Sequence, residues 1–331
     1  MPTTAPPTLV VVNPVSAGGR TRHRWPQIRE ALRGAHIDHT AHLTVAPGDA
    51  TTVTREAILH QGIRRVVAVG GDGTLNEVVN GCFDERGDRL GESLEVGVIP
   101  SGSGADFRRT LGMPHDPDAA ARLLAGGATR QVDIGRITFA DGSTRHFVNV
   151  ADCGIGGEVA ARVNRSHHKG EGLLGTAVFL RISLATLLTY RNREVTLNLD
   201  GEEIHRRVQQ VVVANGRYFG GGMHIAPGAE PDDGLFDVVI VRALSKAASL
   251  AAVPRLYRGT HLTLVAVEVR RARSIQIAVS RGEPPTLFDL DGEQVGSAPA
   301  SIVVLPRALR IVAPPQSGGS SPAPVHATLR R

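Results

Sequence analysis

A β-branched apolar run at Val66, Val67 and Val69 ends in Gly70-Gly71-Asp72-Gly73-Thr74 and continues directly into Leu75-Asn76-Glu77-Val78-Val79, a helix-forming stretch. The glycines let the backbone turn sharply without a Cβ penalty. Thr74 and Glu77 have capping-box spacing, which predicts a helix beginning at Thr74. Main-chain amides at a helix start have no intrahelical partner, so a glycine-lined start suits an anion, commonly a phosphate. Taken alone, the motif also reads as an ordinary strand-to-helix turn.

Two further loops carry similar chemistry. In NPVSAGGR, Asn13, Ser16 and the glycines supply polar groups with little bulk. In IPSGSGADF, Ser103 offers a hydroxyl and Gly104 an unhindered backbone, with Asp106 and Arg108 nearby. Three such loops at the ends of parallel strands would line one crevice, where open α/β sheets bind ligands. The chain has no GxxxxGK[ST], no HRD or DFG set, and no GxGxxG placed as a dinucleotide fingerprint. Phosphates would therefore be held by backbone amides, hydroxyls and Arg20 or Arg22 rather than by a lysine.

The elements that must position these loops alternate between strand-like and helix-like segments as far as about Asp133, the pattern of a parallel sheet covered by helices. Beyond that point many short alternating strands predict a largely antiparallel layer. One apolar helix interrupts it, from Gly172 to Tyr190, broken by Arg181. It reads as a core helix, or as a wall of an acyl-chain pocket or a membrane-facing surface.

Composition narrows the class. A chain of 331 residues that is 41% hydrophobic can bury two domain cores. The net charge of +5 comes from arginine, since Lys169 and Lys246 are the only lysines, and it favours anionic partners. Cys82 and Cys153 have no CxxC spacing, so neither a zinc site nor a disulfide framework is expected. No apolar run reaches spanning length and the start lacks a signal peptide, so a soluble or peripheral cytoplasmic protein is expected. The Arg270, Arg271 and Arg273 cluster lacks stacking aromatics, so nucleic acid is not expected as a partner.

NPVSAGG, GGDGTLNEVVNG, IPSGSGADF, FVNVADCGIGGEV, NGRYFGGGMHIAPGAEPDDGLFDV and LDGE occur in an order that resembles the diacylglycerol kinase catalytic family, which includes bacterial lipid kinases and sphingosine kinases. The likeness runs from about Leu9 to Pro314. GGDGT alone is shared with NAD kinases and phosphofructokinases; the later blocks separate the lipid kinases from them.

The resemblance implies a Rossmann-like α/β nucleotide-binding domain over 8–133 and a β-rich, mainly antiparallel lipid-substrate domain over 134–315; residues 316–331, small, polar and proline-containing, read as a disordered tail. It implies an ATP-dependent lipid kinase acting on diacylglycerol or a related lipid alcohol, with Mg2+, transient membrane-surface contact and room for a homodimer. ATP would meet Asn13, Pro14, Val15, Ser16, Ala17, Thr44, Gly70, Gly71, Asp72, Gly73, Thr74, Leu75, Asn76 and Ser103. A structural magnesium would involve Glu230, Asp233 and Leu235, partly through main-chain carbonyls, which suits a hard cation. The base that accepts the hydroxyl proton would be Glu293 or Asp291, with Asp72 as rival. The family's usual GTGND is GSGAD here, so Ala105 stands where an asparagine is expected. An NAD kinase-like enzyme and a catalytically silent lipid- or nucleotide-binding regulator remain as alternatives.

Overall fold

The first half alternates strands and helices: β1 (Thr8–Val12), α1 (Arg20–Gly34), β2 (His39–Leu43), α2 (Asp49–His60), β3 (Arg65–Gly70), α3 (Asp72–Gly81), β4 (Glu95–Pro100), α4 (Asp106–Leu111) and α5 (Pro117–Gly126). The computed structural model describes residues 6–101, 105–166, 173–280 and 282–315. Ser103, the basic His167-His168-Lys169 stretch and the expected tail over 316–331 lie outside these.

Strands β2, β1, β3 and β4 lie side by side and parallel, with Thr8 opposite both His39 and Arg65, and Val66 opposite Val96. Both faces of β3 are covered, so it needs no polar alternation. Val66 and Ala68 pack with Leu75, Val78 and Val79 of α3, whereas Val67 and Val69 pack with Ile28 and Leu32 of α1 and Leu124 of α5. Each fully buried valine contributes roughly 1.5–3 kcal/mol.

The second half supplies β5 (Thr129–Phe139), β6 (Thr144–Phe147), β7 (Val150–Gly154), α6 (Ile155–Arg165), α7 (Leu173–Thr189), β8 (Arg193–Leu199), β9 (Glu202–Ala214), β10 (Phe236–Arg242), α8 (Lys246–Arg258), β11 (Val267–Ala272), β12 (Ser274–Val279), β13 (Leu287–Leu290), β14 (Glu293–Ser297) and β15 (Ala300–Val312). Its pairings are antiparallel, and its core gathers Phe147, Leu197, Val211, Phe236, Ile275 and Phe288.

The two halves are joined by hydrogen bonding. β15 pairs antiparallel with β5 and parallel with β4, Ile311 standing opposite Val96. The last strand of the second half therefore extends the first sheet, and β5 runs across the division expected at residue 133. Among the described residues all strands join into one 15-stranded sheet.

Two expectations are corrected. The third helix begins at Asp72, not Thr74, with Gly71 as its cap residue and no side chain capping it. Glu77 does not close a capping box: its carboxylate accepts from the amides of Gly48 (3.0 Å) and Ala50 (3.2 Å), so it is spent on the start of α2. The apolar helix α7 is not a core helix, since Leu180, Leu184 and Leu188 face solvent.

Candidate active site

The parallel strand order places the loops that follow β2, β1, β3 and β4 along one edge, at the carboxyl ends of the strands. Thr44 stands just past β2, its amide donating to the Val12 carbonyl (2.9 Å). Asn13, Pro14, Val15, Ser16 and Ala17 follow β1, with Ala17 and the next two glycines in left-handed conformations that turn the chain tightly. Asn13 Nδ2 donates to Thr74 Oγ1 (3.1 Å), tying the first loop to the third. Thr21 Oγ1 shares a hydrogen bond with Ser16 Oγ and donates to Ser101 Oγ (2.8 Å), tying the first loop to the fourth.

Gly70 is required by contact rather than by flexibility, because a Cβ there would collide with the Thr74 side chain. Gly71, Asp72, Gly73 and Thr74 then form the uncapped start of α3, whose amides and dipole favour an anion. Leu75 and Asn76 do not present their side chains to this edge. Leu75 is in the core, and Asn76 Nδ2 donates to the His146 carbonyl (3.0 Å) and to Asp291 Oδ2 (2.9 Å).

The acidic motif near the C-terminus arrives at the same place. A Cβ on Gly73 would lie 2.8 Å from Glu293 Oε1, so the Glu293 carboxylate rests directly on the first turn of α3. Asp72, on the same turn and half-buried, accepts from the amides of Asp106 (3.0 Å) and Phe107 (3.4 Å). Burial, then the charges of Asp106 and Asp291, pushes the Asp72 carboxyl up to about 7. Asp106 is in turn held by Arg109 and by the Gly221 amide (2.7 Å).

Asp291 has a different occupation. Its Oδ1 accepts from the amides of Asn149 (3.0 Å) and Val150 (2.9 Å), and its Oδ2 from the Val148 amide (2.9 Å) and Asn76 Nδ2 (2.9 Å). A carboxylate with four donors is a clamp between α3 and the start of β7. Its left-handed φ of 51° leaves the next carboxylate, Glu293, at the cleft.

The segment expected to hold a structural cation does not fit one. Asp233 Oδ2 is paired with Arg271, which also reaches Asp237 Oδ1 (3.3 Å); Asp233 Oδ1 accepts from the Leu235 amide (3.0 Å). The guanidinium already neutralises the charge that would bind a cation, although burial still raises Asp237 to about 6. Glu230 adds negative charge to this group, but among the described residues no cluster of three or more His, Cys, Asp or Glu could hold a metal ion.

Sequence reasoning missed a buried carboxyl pair. Asp152 of β7 stands directly opposite Asp289 of β13. Burial pushes Asp152 up to about 7, and burial with the charges of Asp152 and Asp291 pushes Asp289 well up, so the pair retains a proton near neutrality. The signal was present in LFDLDGE, where Asp289 precedes Asp291 and Glu293 by two and four residues. The missing information was the partner strand.

Comparison with known proteins agrees with this geometry. The diacylglycerol kinase catalytic domain matches residues 7–137, and the YegS C-terminal NAD kinase beta sandwich-like domain matches 149–313. A curated diacylglycerol kinase of Bacillus subtilis (strain 168) is 29% identical over 306 residues, covering 92% of this chain and 95% of its own. The diacylglycerol kinase of Mycobacterium tuberculosis (strain H37Rv) is 29% identical over 297 residues, covering 89% of this chain and 87% of its own. Among solved structures, a candidate diacylglycerol kinase from Bacillus anthracis superposes with a TM-score of 0.73 at 26% identity, over 95% of this chain and 99% of that one.

Proposed function

Since the chain belongs to the diacylglycerol kinase catalytic-domain family and is a lipid kinase, we propose that it transfers the γ-phosphoryl group of ATP to the hydroxyl of diacylglycerol or a related lipid alcohol. The observation that carries this reading is the seating of Glu293 on the start of α3, which joins a carboxylate to an anion-binding turn. The triphosphate lies along the strand-end loops, with Asn13 to Ala17 and Thr44 on one side and Gly70 to Thr74 at its phosphates. Mg2+ accompanying the nucleotide supplies neutralisation of phosphate charge.

The lipid hydroxyl oxygen attacks the γ-phosphorus and its proton passes to the Glu293 carboxylate. The bond from the γ-phosphorus to the bridging oxygen breaks, and ADP leaves. Proton acceptance of this kind contributes about 10²–10⁴ in rate. Asp291 acts by position: it locks the turn that presents Glu293. Asp72, able to hold a proton near neutrality, steadies the start of α4 through the Asp106 and Phe107 amides.

The test is ATP turnover with magnesium over a panel of lipid alcohols in detergent micelles, with NAD and no-acceptor controls. Acceptor-dependent ADP formation with diacylglycerol supports the reading. Transfer to NAD overturns it, and nucleotide binding with no transfer to any acceptor leaves a silent binding protein.

A further inference from the structure

A cavity of about 260 Å³ lies at the opposite end of α3 from the glycine turn, lined by Arg55 of α2, Asn80 of α3, Asp84 and Glu85 beyond it, and Arg145 and His146 of β6. Nothing in the proposed reaction uses it. The His146 ring is stacked on Phe83 at 3.9 Å, and its buried Nε2 has no hydrogen-bond partner among the described residues. Arg136 stands opposite His146 across β5 and β6, and the two side chains meet over Gly87, where an added Cβ would lie 3.5 Å from Arg136 Nη1 and 3.7 Å from His146 Cε1. Burial and then the charges of Arg136 and Arg55 push the imidazole down to about 4, so it stays neutral.

The charge around this cavity is unbalanced. Among the described residues none of Arg55, Arg136 and Arg145 is paired with a carboxylate. Arg55 spends Nε and Nη2 on the carbonyls of Phe83 (3.0 Å) and Asn80 (3.3 Å), which leaves Nη1 outside both bonds. The two carboxylates on the wall do not offset this: Asp84 Oδ1 already accepts from the amides of Arg86 (2.9 Å) and Asp88 (2.8 Å), and Glu85 is exposed. An oxyanion would supply what is missing, an acceptor for the guanidinium groups and a partner for Nε2. The volume exceeds a bare phosphate, equalling about nine waters at about 30 Å³ each, and the Ser143 and Thr144 hydroxyls on the same wall suit hydroxyl groups.

Position gives the cavity a route to the candidate site. The His146 amide donates to Asn80 Oδ1 (2.9 Å) and its carbonyl accepts from Asn76 Nδ2 (3.0 Å), the atom that also donates to Asp291. Val148, two residues on, gives its amide to the same carboxylate. We propose that this cavity is a regulatory site for a small phosphorylated polyol, whose phosphate sits between Arg55 and Arg145 and whose binding firms the Asp291 clamp that presents Glu293. Binding at the cavity is independent of the kinase reading; its effect on rate rests on that reading.

The experiment is calorimetric titration of the full chain with glycerol 3-phosphate, the nucleotide edge first filled with a non-hydrolysable ATP analogue. The expected result is saturable binding that is about tenfold or more weaker in Arg145→Gln, weaker again in Arg55→Gln/Arg145→Gln, and absent with glycerol. Arg145 is exposed, so its replacement does not threaten folding. Saturating glycerol 3-phosphate raises kcat on diacylglycerol in detergent micelles by about twofold or more in wild type and not in Arg145→Gln. No binding to wild type, unchanged affinity in Arg145→Gln, or equal affinity for inorganic phosphate overturns the site as assigned. An unchanged kcat with the cavity filled overturns the link to Asp291. Binding that needs Arg145, with no turnover on any lipid, supports the site and sinks the kinase reading alone.

Discussion

Glu293 Oε1 lies 2.8 Å from the point where a Cβ on Gly73 would stand. Residues 220 apart in sequence are thus in contact, and the side chain that Gly73 lacks leaves the space the carboxylate fills. Gly73→Ala is expected to displace Glu293 and lower kcat by about 10²-fold or more with a small change in melting temperature. Glu293→Gln keeps the shape and removes the proton acceptor, with an expected loss of about 10²–10⁴ in kcat. Steady-state kinetics with thermal melts checks both; normal turnover in folded Glu293→Gln would remove it as the base.

Asp291 is expected to behave as structure rather than chemistry. Asp291→Ala leaves four buried donors without an acceptor, at roughly 1–3 kcal/mol each before relaxation, so it should unfold the protein or lower its stability by several kcal/mol. Asp291→Asn should be destabilised in urea titrations far more than Glu293→Gln. Equal stability of the two would contradict the clamp.

Ala105 adopts a left-handed φ of 48°, at the position where the family's usual motif has an asparagine. Asparagine tolerates that region, whereas alanine is disfavoured there by about 1–2 kcal/mol. Ala105→Gly and Ala105→Asn should each raise stability by about 1 kcal/mol, measured by denaturant midpoint. A loss of stability in both would show that the Ala105 methyl makes a contact worth more than the strain.

The Asp152 carboxyl is raised by burial from an ordinary 3.8 to about 7. The folded state therefore holds a proton that the unfolded chain has released, and stability falls as pH rises from about 4 to about 7. Asp152→Asn is neutral throughout and should flatten that slope, gaining on the order of 1–3 kcal/mol over wild type at pH 8. Melts at pH 5 to 8 test this, and an unchanged slope would mean that Asp152 does not carry the proton.

Much of the candidate site's edge was legible in the chain itself. Continuous apolar strands ending in glycine-rich turns can be satisfied by few arrangements other than a covered parallel sheet, whose strand ends then share one edge. Local periodicity also placed α2 over Asp49–His60, and LFDLDGE set Asp291 and Glu293 beside Gly292 in a turn. The helix start was misread because Glu77 has the right spacing for a capping box yet bonds to Gly48 and Ala50, donors 29 and 27 residues away.

Tertiary structure alone decided which carboxylate clamps and which is presented. Asp291 and Glu293 are chemically near-equivalent two residues apart, and only the arrival of the Val148–Val150 amides and Asn76 separates their roles. The same holds for the acidic loop, where cross-strand pairing puts Arg271 opposite Asp237 and brings a positive charge to the place where the family resemblance implies a metal. Hydrophobicity made α7 look like core, but burial depends on what packs against a helix, and α6 and α8 leave its leucine stripe uncovered. Period and residue type are local properties of the chain; the partner across a strand or helix face is set by how distant segments meet.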